Sequence, residues 1–100
     1  MAVAYEMRFE GATLEQYDRV LELMGFRDGV VDAEGAIFHW VAETDDGIVV
    51  VDVWETDGQY NRFAEEQIGP FSQQAGFPGA PIVTRYDVHN TLTARTAAHA

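Results

Sequence analysis

Large apolar residues recur at every second position from Val3 to Phe9, with small or charged residues between them. A period of two predicts a half-buried β-strand. Beyond Gly11, Thr13 and Gln16 have the spacing of a capping box, in which each side chain satisfies a free backbone donor of the other residue. They predict a helix that ends at Gly25. The apolar stripe of this helix comprises Leu14, Tyr17, Leu21 and Met24.

A hairpin and a second helix are predicted after a loop rich in Gly and Asp. The strands cover Ala36–Glu43 and Gly47–Glu55, because Asp-Gly between two β-rich segments is a strong hairpin signal. The helix covers Asp57–Ile68, with its first residue as N-cap, and Gly69-Pro70 is expected to break it. A looser connector then leads to a fourth strand, Pro81–Thr91.

The element order β-α-β-β-α-β is that of a ferredoxin-like α+β fold, a four-stranded antiparallel sheet with both helices on one face. We assign residues 1–93 to one such domain and expect residues 94–100 to form a flexible tail. The second face of the sheet needs a cover, because a small domain cannot leave a whole apolar face in water. A second copy of the chain is the simplest cover, so we expect a homodimer whose sheets enclose a space.

The third strand presents two different faces. Val49, Val51 and Val53 form an all-valine side, which we expect to pack under the helices. A buried carboxylate among β-branched neighbours is costly unless it is paired or hydrogen-bonded, so Asp52 on the other side needs a partner. We assign this second side to the cavity between the two sheets, and it consists of Ile48, Val50, Asp52 and Trp54.

The hairpin supplies the partner for Asp52. If Glu43 faces Ile48, then His39 lies opposite Asp52 and Ile37 lies opposite Trp54. A two-residue Asp45-Asp46 loop gives the same pairing, and an Asp46-Gly47 loop places His39 diagonal to Asp52 on the same face. Only an odd loop length separates the two side chains.

His39 oriented by Asp52 is therefore the candidate catalytic base. The carboxylate would hold one imidazole tautomer and leave the other nitrogen for a substrate proton. The alternative hypothesis is a structural pair that only fixes the hairpin register.

A metal site is not predicted. The residue types of His39, Asp52 and His89 suit a metal ion, but no spacing motif supports such a site. The candidate substrate-binding residues are Trp54, Val50, Ile37, Tyr86 and His89, of which His89 belongs to either the cavity or its rim.

Composition removes several classes of function. The chain has 100 residues and a net charge of -11, which argues against nucleic acid and anionic membranes as partners. It contains no Cys and no Lys, which excludes thiolate nucleophiles, zinc-thiolate sites and lysine Schiff bases. The longest apolar run, Ile48–Val51, is far shorter than the roughly 20 residues that span a bilayer. With no signal-peptide pattern at its N-terminus, the chain is expected to be cytoplasmic.

Several ordered motifs resemble a known family. The stretch Gly47–Pro70, with its Asp52-Val53-Trp54-Glu55 motif, resembles the small dimeric α+β-barrel proteins, which include the antibiotic-biosynthesis-monooxygenase-like group. Gly11–Asp18, Phe38–Ala42 and Val88–Asn90 are similar to an actinobacterial branch of that group.

The resemblance implies a ferredoxin-like protomer that pairs through its sheet and holds a pocket between sheet and helices. Known relatives include cofactor-independent monooxygenases that oxidise phenolic or anthrone-like polyketides with O₂, haem-degrading monooxygenases and polyketide cyclases. Trp54 matches the tryptophan of the monooxygenase motif, whereas Val50 stands where the quinone-forming enzymes carry asparagine. No position matches the proximal histidine of the haem degraders.

These observations lead to a hypothesis with alternatives. The chain is expected to be a cofactor-independent monooxygenase acting on a small apolar, aromatic or polyketide-like molecule, with His39 removing a proton. A polyketide cyclase would use the same base to form an enolate. A non-catalytic dimer that binds a ligand or responds to stress is the alternative from another class, and haem binding would need an axial histidine open to the pocket.

Overall fold

Strand β1 (Val3–Glu10) lies inside a four-stranded antiparallel sheet in the computed structural model, which describes residues 1–94. The other strands are β2 (Ala36–Thr44), β3 (Gly47–Trp54) and β4 (Ile82–Asp87), and the order across the sheet is β2-β3-β1-β4. The predicted ferredoxin-like fold is confirmed. Strand β4 is shorter than predicted, and residues 95–100 of the predicted tail, with His99, lie outside the described residues.

Helix α1 (Leu14–Met24) has the predicted capping box. The Thr13 hydroxyl accepts a hydrogen bond from the Gln16 backbone N–H at 3.1 Å, and the Gln16 side chain accepts one from the Thr13 N–H at 3.0 Å. Gly25 ends the helix in the left-handed region at φ 80°, which a residue without Cβ adopts without strain. Local sequence therefore determines both ends of α1.

The second helical segment continues through the Gly-Pro pair that was predicted to break it. Helix α2 (Asp57–Phe63) is followed by a π-helical turn (Ala64–Ile68) and by α3 (Gly69–Gln74). The Gly69 N–H donates to the Ala64 carbonyl, five residues earlier, instead of to the carbonyl four residues earlier. The helix therefore widens by one residue just before Pro70. Because Pro70 then sits in the first turn of α3, its missing N–H costs nothing. Asp57 is the first helical residue, and the cap is Thr56.

The helices cover the side of the sheet opposite to the one that was predicted. Cross-strand pairing places Met7 beside Val50 and Tyr5 beside Asp52, so the bulky row of β1 shares a side with Asp52. That side is buried under the helices and forms the core with Val20 and Tyr60. The all-valine row of β3 instead shares the other side with Ala4, Glu6 and Arg8. The prediction was wrong because it weighed β3 alone, whereas the large side chains of β1 decide which side needs the helices.

The uncovered side of the sheet is apolar and is called the open face below. By pairing, it contains Phe38 and Trp40 from β2 and Ile82 and Tyr86 from β4. These side chains are 43–59% exposed, although they are large and apolar. None of the helices formed by residues 1–94 has the length and apolar character needed to cross a membrane.

A polar cluster joins the start of α2 to the edge strand β4. The Arg85 guanidinium donates to Asp57 through Nε at 2.8 Å and through Nη2 at 3.0 Å, and the Tyr5 hydroxyl donates to the same carboxylate. Arg85, with Tyr5 as the second donor, lowers the pKa of Asp57 from its usual 3.8 to about 2. The ionised carboxylate therefore favours the folded state.

We expect Asp57→Asn to lower the melting temperature at about pH 6, with a loss that shrinks as the pH falls from about 4 to about 2. The folded pKa is below the unfolded value, so the stabilisation is complete above pH 3.8 and disappears as pH falls through the folded pKa. Thermal unfolding followed by circular dichroism at several pH values measures this. Glu55→Gln, an exposed neighbour, is the matched control. A loss that stays constant down to pH 2 would contradict the assignment.

Candidate functional site

A cavity of about 310 Å³ lies between the sheet and the helices. Its volume falls at the lower end of the ~300–1,000 Å³ typical of small-molecule sites. The sheet contributes Met7, Phe9, Val50 and Trp54, whereas α1 and the loop that follows contribute Val20, Leu21, Met24 and Phe26. Most of the lining is apolar, so the few polar groups that reach the cavity determine its chemistry.

Asp52 is the centre of the polar group. It is only 5% exposed, and it accepts hydrogen bonds from His39 Nδ1 at 2.6 Å and from Trp54 Nε1 at 3.2 Å. The predicted cross-strand pairing of His39 with Asp52 is confirmed, although both lie under the helices rather than between two sheets. Each carboxylate oxygen has its own donor, and no buried side-chain nitrogen or oxygen in residues 1–94 lacks a partner.

The second nitrogen of His39 is not free for a substrate, contrary to the prediction. Nε2 is hydrogen-bonded to the Tyr17 hydroxyl, and the two rings lie almost parallel with centroids 5.8 Å apart. Burial, helped by the charges of Asp52 and Asp18, raises the pKa of Tyr17 to about 12. The phenol is therefore neutral at physiological pH, and it completes a chain Tyr17–His39–Asp52–Trp54.

Sequence reasoning missed Tyr17 because its position on the apolar stripe of α1 made it a core residue. The stripe shows which residues face the sheet, but not which strand each one meets. α1 crosses the sheet so that Tyr17 lies over His39 of β2, at a sequence separation of 22 residues. The available signal was a hydroxyl-bearing residue in an otherwise aliphatic stripe, since a buried Tyr hydroxyl usually needs a partner.

The predicted binding residues divide into two groups. Val50 and Trp54 line the cavity. Ile37 does not lie opposite Trp54 as predicted, because an irregularity between Ala36 and Phe38 gives that position to Ala36. Ile37 is consequently 45% exposed and outside the cavity lining.

Tyr86 and His89 also lie away from the cavity. Tyr86 pairs with Ala4 and is therefore on the open face, on the opposite side of the sheet. It is 50% exposed. His89 follows the end of β4 and is exposed. Within residues 1–94, no three His, Asp or Glu side chains come close enough to hold a metal ion, and His39 does not meet His89.

Comparison with solved structures gives the fold. A protein from Chloroflexus aurantiacus, provisionally assigned as an antibiotic biosynthesis monooxygenase, superposes with a TM-score of 0.60 at 18% identity, covering 93% of this chain and 98% of that one. The monooxygenase ActVA-Orf6 of Streptomyces coelicolor, in complex with nanaomycin D, gives 0.57 at 17% identity, covering 93% and 91%. SnoaB, a cofactor-independent oxygenase from Streptomyces nogalater, gives 0.57 at 16% identity, covering 93% and 96%.

These similarities confirm the predicted resemblance to the antibiotic-biosynthesis-monooxygenase group at the level of the fold. No protein-family profile matches the chain. No curated protein matches it at a significant level. The actinobacterial branch stays a prediction.

We expect Asp52→Ala to destabilise the protein by about 3 kcal/mol, because it leaves the buried N–H groups of His39 and Trp54 without an acceptor. Urea unfolding measures the loss. Glu43→Ala, an exposed carboxylate on the same hairpin, is the control and should change stability by no more than about 0.5 kcal/mol. Equal effects of the two variants would show that the hydrogen-bonded chain contributes little to the fold.

Proposed function

We propose that this protein is an enzyme that removes a proton from a small aromatic or polyketide-like molecule and lets O₂ oxidise the resulting anion. The single observation that carries this proposal is the buried His39–Asp52 pair in the wall of an apolar cavity. A buried carboxylate that holds an imidazole in one tautomer is the usual arrangement for a general base.

The reaction needs only an acidic substrate, the base and O₂. For an anthrone, the proton ends on His39 Nε2, the nitrogen that the Tyr17 hydroxyl contacts, and the electrons of the broken C–H or O–H bond remain on the substrate as a delocalised anion. The anion reduces O₂ and combines with it, and the resulting peroxide takes the proton back from His39 to form a hydroperoxide, which loses water to give the quinone. One anthrone and one O₂ thus yield one quinone and one water. Asp52 stabilises the imidazolium that forms during the proton transfer.

Two features of the cavity support this reaction class. Its lining is mostly apolar, which suits a flat hydrocarbon skeleton. Trp54, held by its hydrogen bond to Asp52, presents a rigid ring to such a skeleton. Solved structures with this fold include a cofactor-independent oxygenase and a monooxygenase bound to nanaomycin D. Val50 offers no polar group, and we assign proton removal to His39 because it is paired with the buried Asp52 in the cavity wall.

We also propose that the enzyme is a homodimer paired through the open face. The exposed rings of Phe38, Trp40 and Tyr86 need a cover, and a sheet packed on its own copy buries the same row from both protomers. Charge permits this pairing despite the net charge of -11. Of the charged residues that β1 places on this face, Glu6 and Arg8 form an ion pair with each other at 2.9 Å, and Glu10 lies at the end of the strand.

We expect the purified protein to accelerate O₂ uptake by 1,8-dihydroxyanthrone, with formation of the anthraquinone, above the spontaneous rate. His39→Ala and Asp52→Asn should each lower kcat by about 100-fold or more, the usual contribution of a general base. An oxygen electrode and the absorbance of the quinone follow the reaction. Glu43→Gln, the same carboxylate-to-amide change at an exposed residue four pairs along the hairpin, should retain full activity.

The outcomes separate the competing hypotheses. Turnover that survives both site substitutions in folded protein would exclude the His39–Asp52 base. Closure of a polyketide without O₂ uptake would favour a cyclase. Tight binding of the anthrone without consumption of either reactant would favour a non-catalytic ligand-binding protein.

We expect Trp40→Glu to convert the protein from dimer to monomer, because it places a charge among the exposed apolar side chains of the open face. Sedimentation equilibrium measures the mass. Glu22→Gln on the outer side of α1, away from the open face, is the control. A wild-type chain that sediments as a monomer would refute the proposed pairing.

A further inference from the structure

We infer that the ligand binds through a phenolic or enolic hydroxyl that donates a hydrogen bond to the oxygen of Tyr17, and that Tyr17 passes the ligand's proton to His39. The inference deepens the proposed function and rests on it for the base. It identifies Tyr17 as the residue that touches the ligand, and it assigns His39 and Asp52 as positioning residues that act through the phenol.

The directions of the hydrogen bonds follow from the groups in the chain. The indole N–H of Trp54 can only donate, and the buried carboxylate of Asp52, with donors on both oxygens, accepts from both sides. His39 Nδ1 must therefore carry a hydrogen. In the neutral imidazole the other nitrogen, Nε2, is then an acceptor, and the Tyr17 hydroxyl donates to it.

This arrangement determines what the cavity offers to a ligand. The single hydroxyl proton of Tyr17 is directed to His39, so only the lone pairs of its oxygen remain for another partner. Tyr17 lines the cavity and is only partly buried, so a ligand can reach it. A ligand that carries a hydroxyl donor satisfies this acceptor, whereas an ether or an unsubstituted ring leaves it unpaired.

Proton transfer through Tyr17 needs no ionised form of the Tyr17 phenol before or after the step. The ligand O–H bond breaks and its proton joins the Tyr17 oxygen, while the original Tyr17 proton moves to His39 Nε2. The products are the ligand anion and an imidazolium, which lies beside the Asp52 carboxylate at 2.6 Å. Tyr17 is neutral before and after the step, as its raised pKa of about 12 requires.

A matched pair of ligands tests the inference without turnover. At a pH where the free phenol is neutral, calorimetry compares 4-nitrophenol with 4-nitroanisole, in which a methyl group replaces the hydroxyl hydrogen. We expect wild-type protein to bind the phenol roughly five- to tenfold more tightly, the effect of one partly buried hydrogen bond. Tyr17→Phe should abolish this preference while retaining the wild-type circular dichroism spectrum.

Tyr60→Phe is the matched control, because Tyr60 is another buried phenol of the core but does not line the cavity. The Tyr60→Phe variant should still bind 4-nitrophenol more tightly than 4-nitroanisole. Equal affinities for the two ligands in the wild type, a failure of both to bind, or a preference that persists in folded Tyr17→Phe would each overturn the inference.

Kinetics separate this inference from the proposed oxidation. If the anthrone is not oxidised but the hydroxyl preference disappears in Tyr17→Phe, the oxidation fails and the binding mode stands. If the anthrone is oxidised and Tyr17→Phe retains the wild-type kcat, His39 takes the proton directly, and the role of Tyr17 is refuted while the oxidation stands.

Discussion

A carboxylate buried among valines and aromatic rings persists only when donors occupy its oxygens. Asp52 is in this position, and its two donors come from His39 on the neighbouring strand and from Trp54 two residues further along its own strand. The register of the hairpin, the tautomer of the imidazole and the orientation of the indole all follow from this one requirement. Stability and the proposed chemistry therefore depend on the same side chains, and a change at Asp52 is expected to affect both.

The position of this carboxylate under the helices is what makes the proposed chemistry available to it. On the open face the same pair would meet solvent or a second protomer, whereas under α1 it meets a phenol and an apolar cavity. The continuous helical segment also shapes the cavity. Because the π-helical turn carries the helix through Gly69-Pro70, Ser72 lines the cavity from a helix instead of lying in the predicted loose connector. In the proposed reaction, the neutral phenol of Tyr17 controls which ligand atoms can approach the base.

The two sides of the sheet differ in structure. The helix side holds the cavity and the hydrogen-bonded chain within a single protomer. The open face carries large exposed rings, and its Glu6 and Arg8 charges neutralise each other in an ion pair. These features favour the proposed packing of one protomer on another. If the dimer forms as proposed, it covers an apolar surface and stiffens the sheet beneath the site, without contributing side chains to the hydrogen-bonded chain itself.

The sequence by itself determined the local features: the alternation of β1, the capping box at Thr13, the Asp-Gly hairpin and the pairing of His39 with Asp52. Each depends on residues close in the chain or on strict two-residue periodicity. Only the tertiary structure decided which side of the sheet the helices cover, that Tyr17 reaches His39, and that the helix continues past Gly69-Pro70. Those outcomes depend on the crossing of α1 over β2, on the combined bulk of β1 and β3, and on a widened turn whose hydrogen bonds no local propensity indicates.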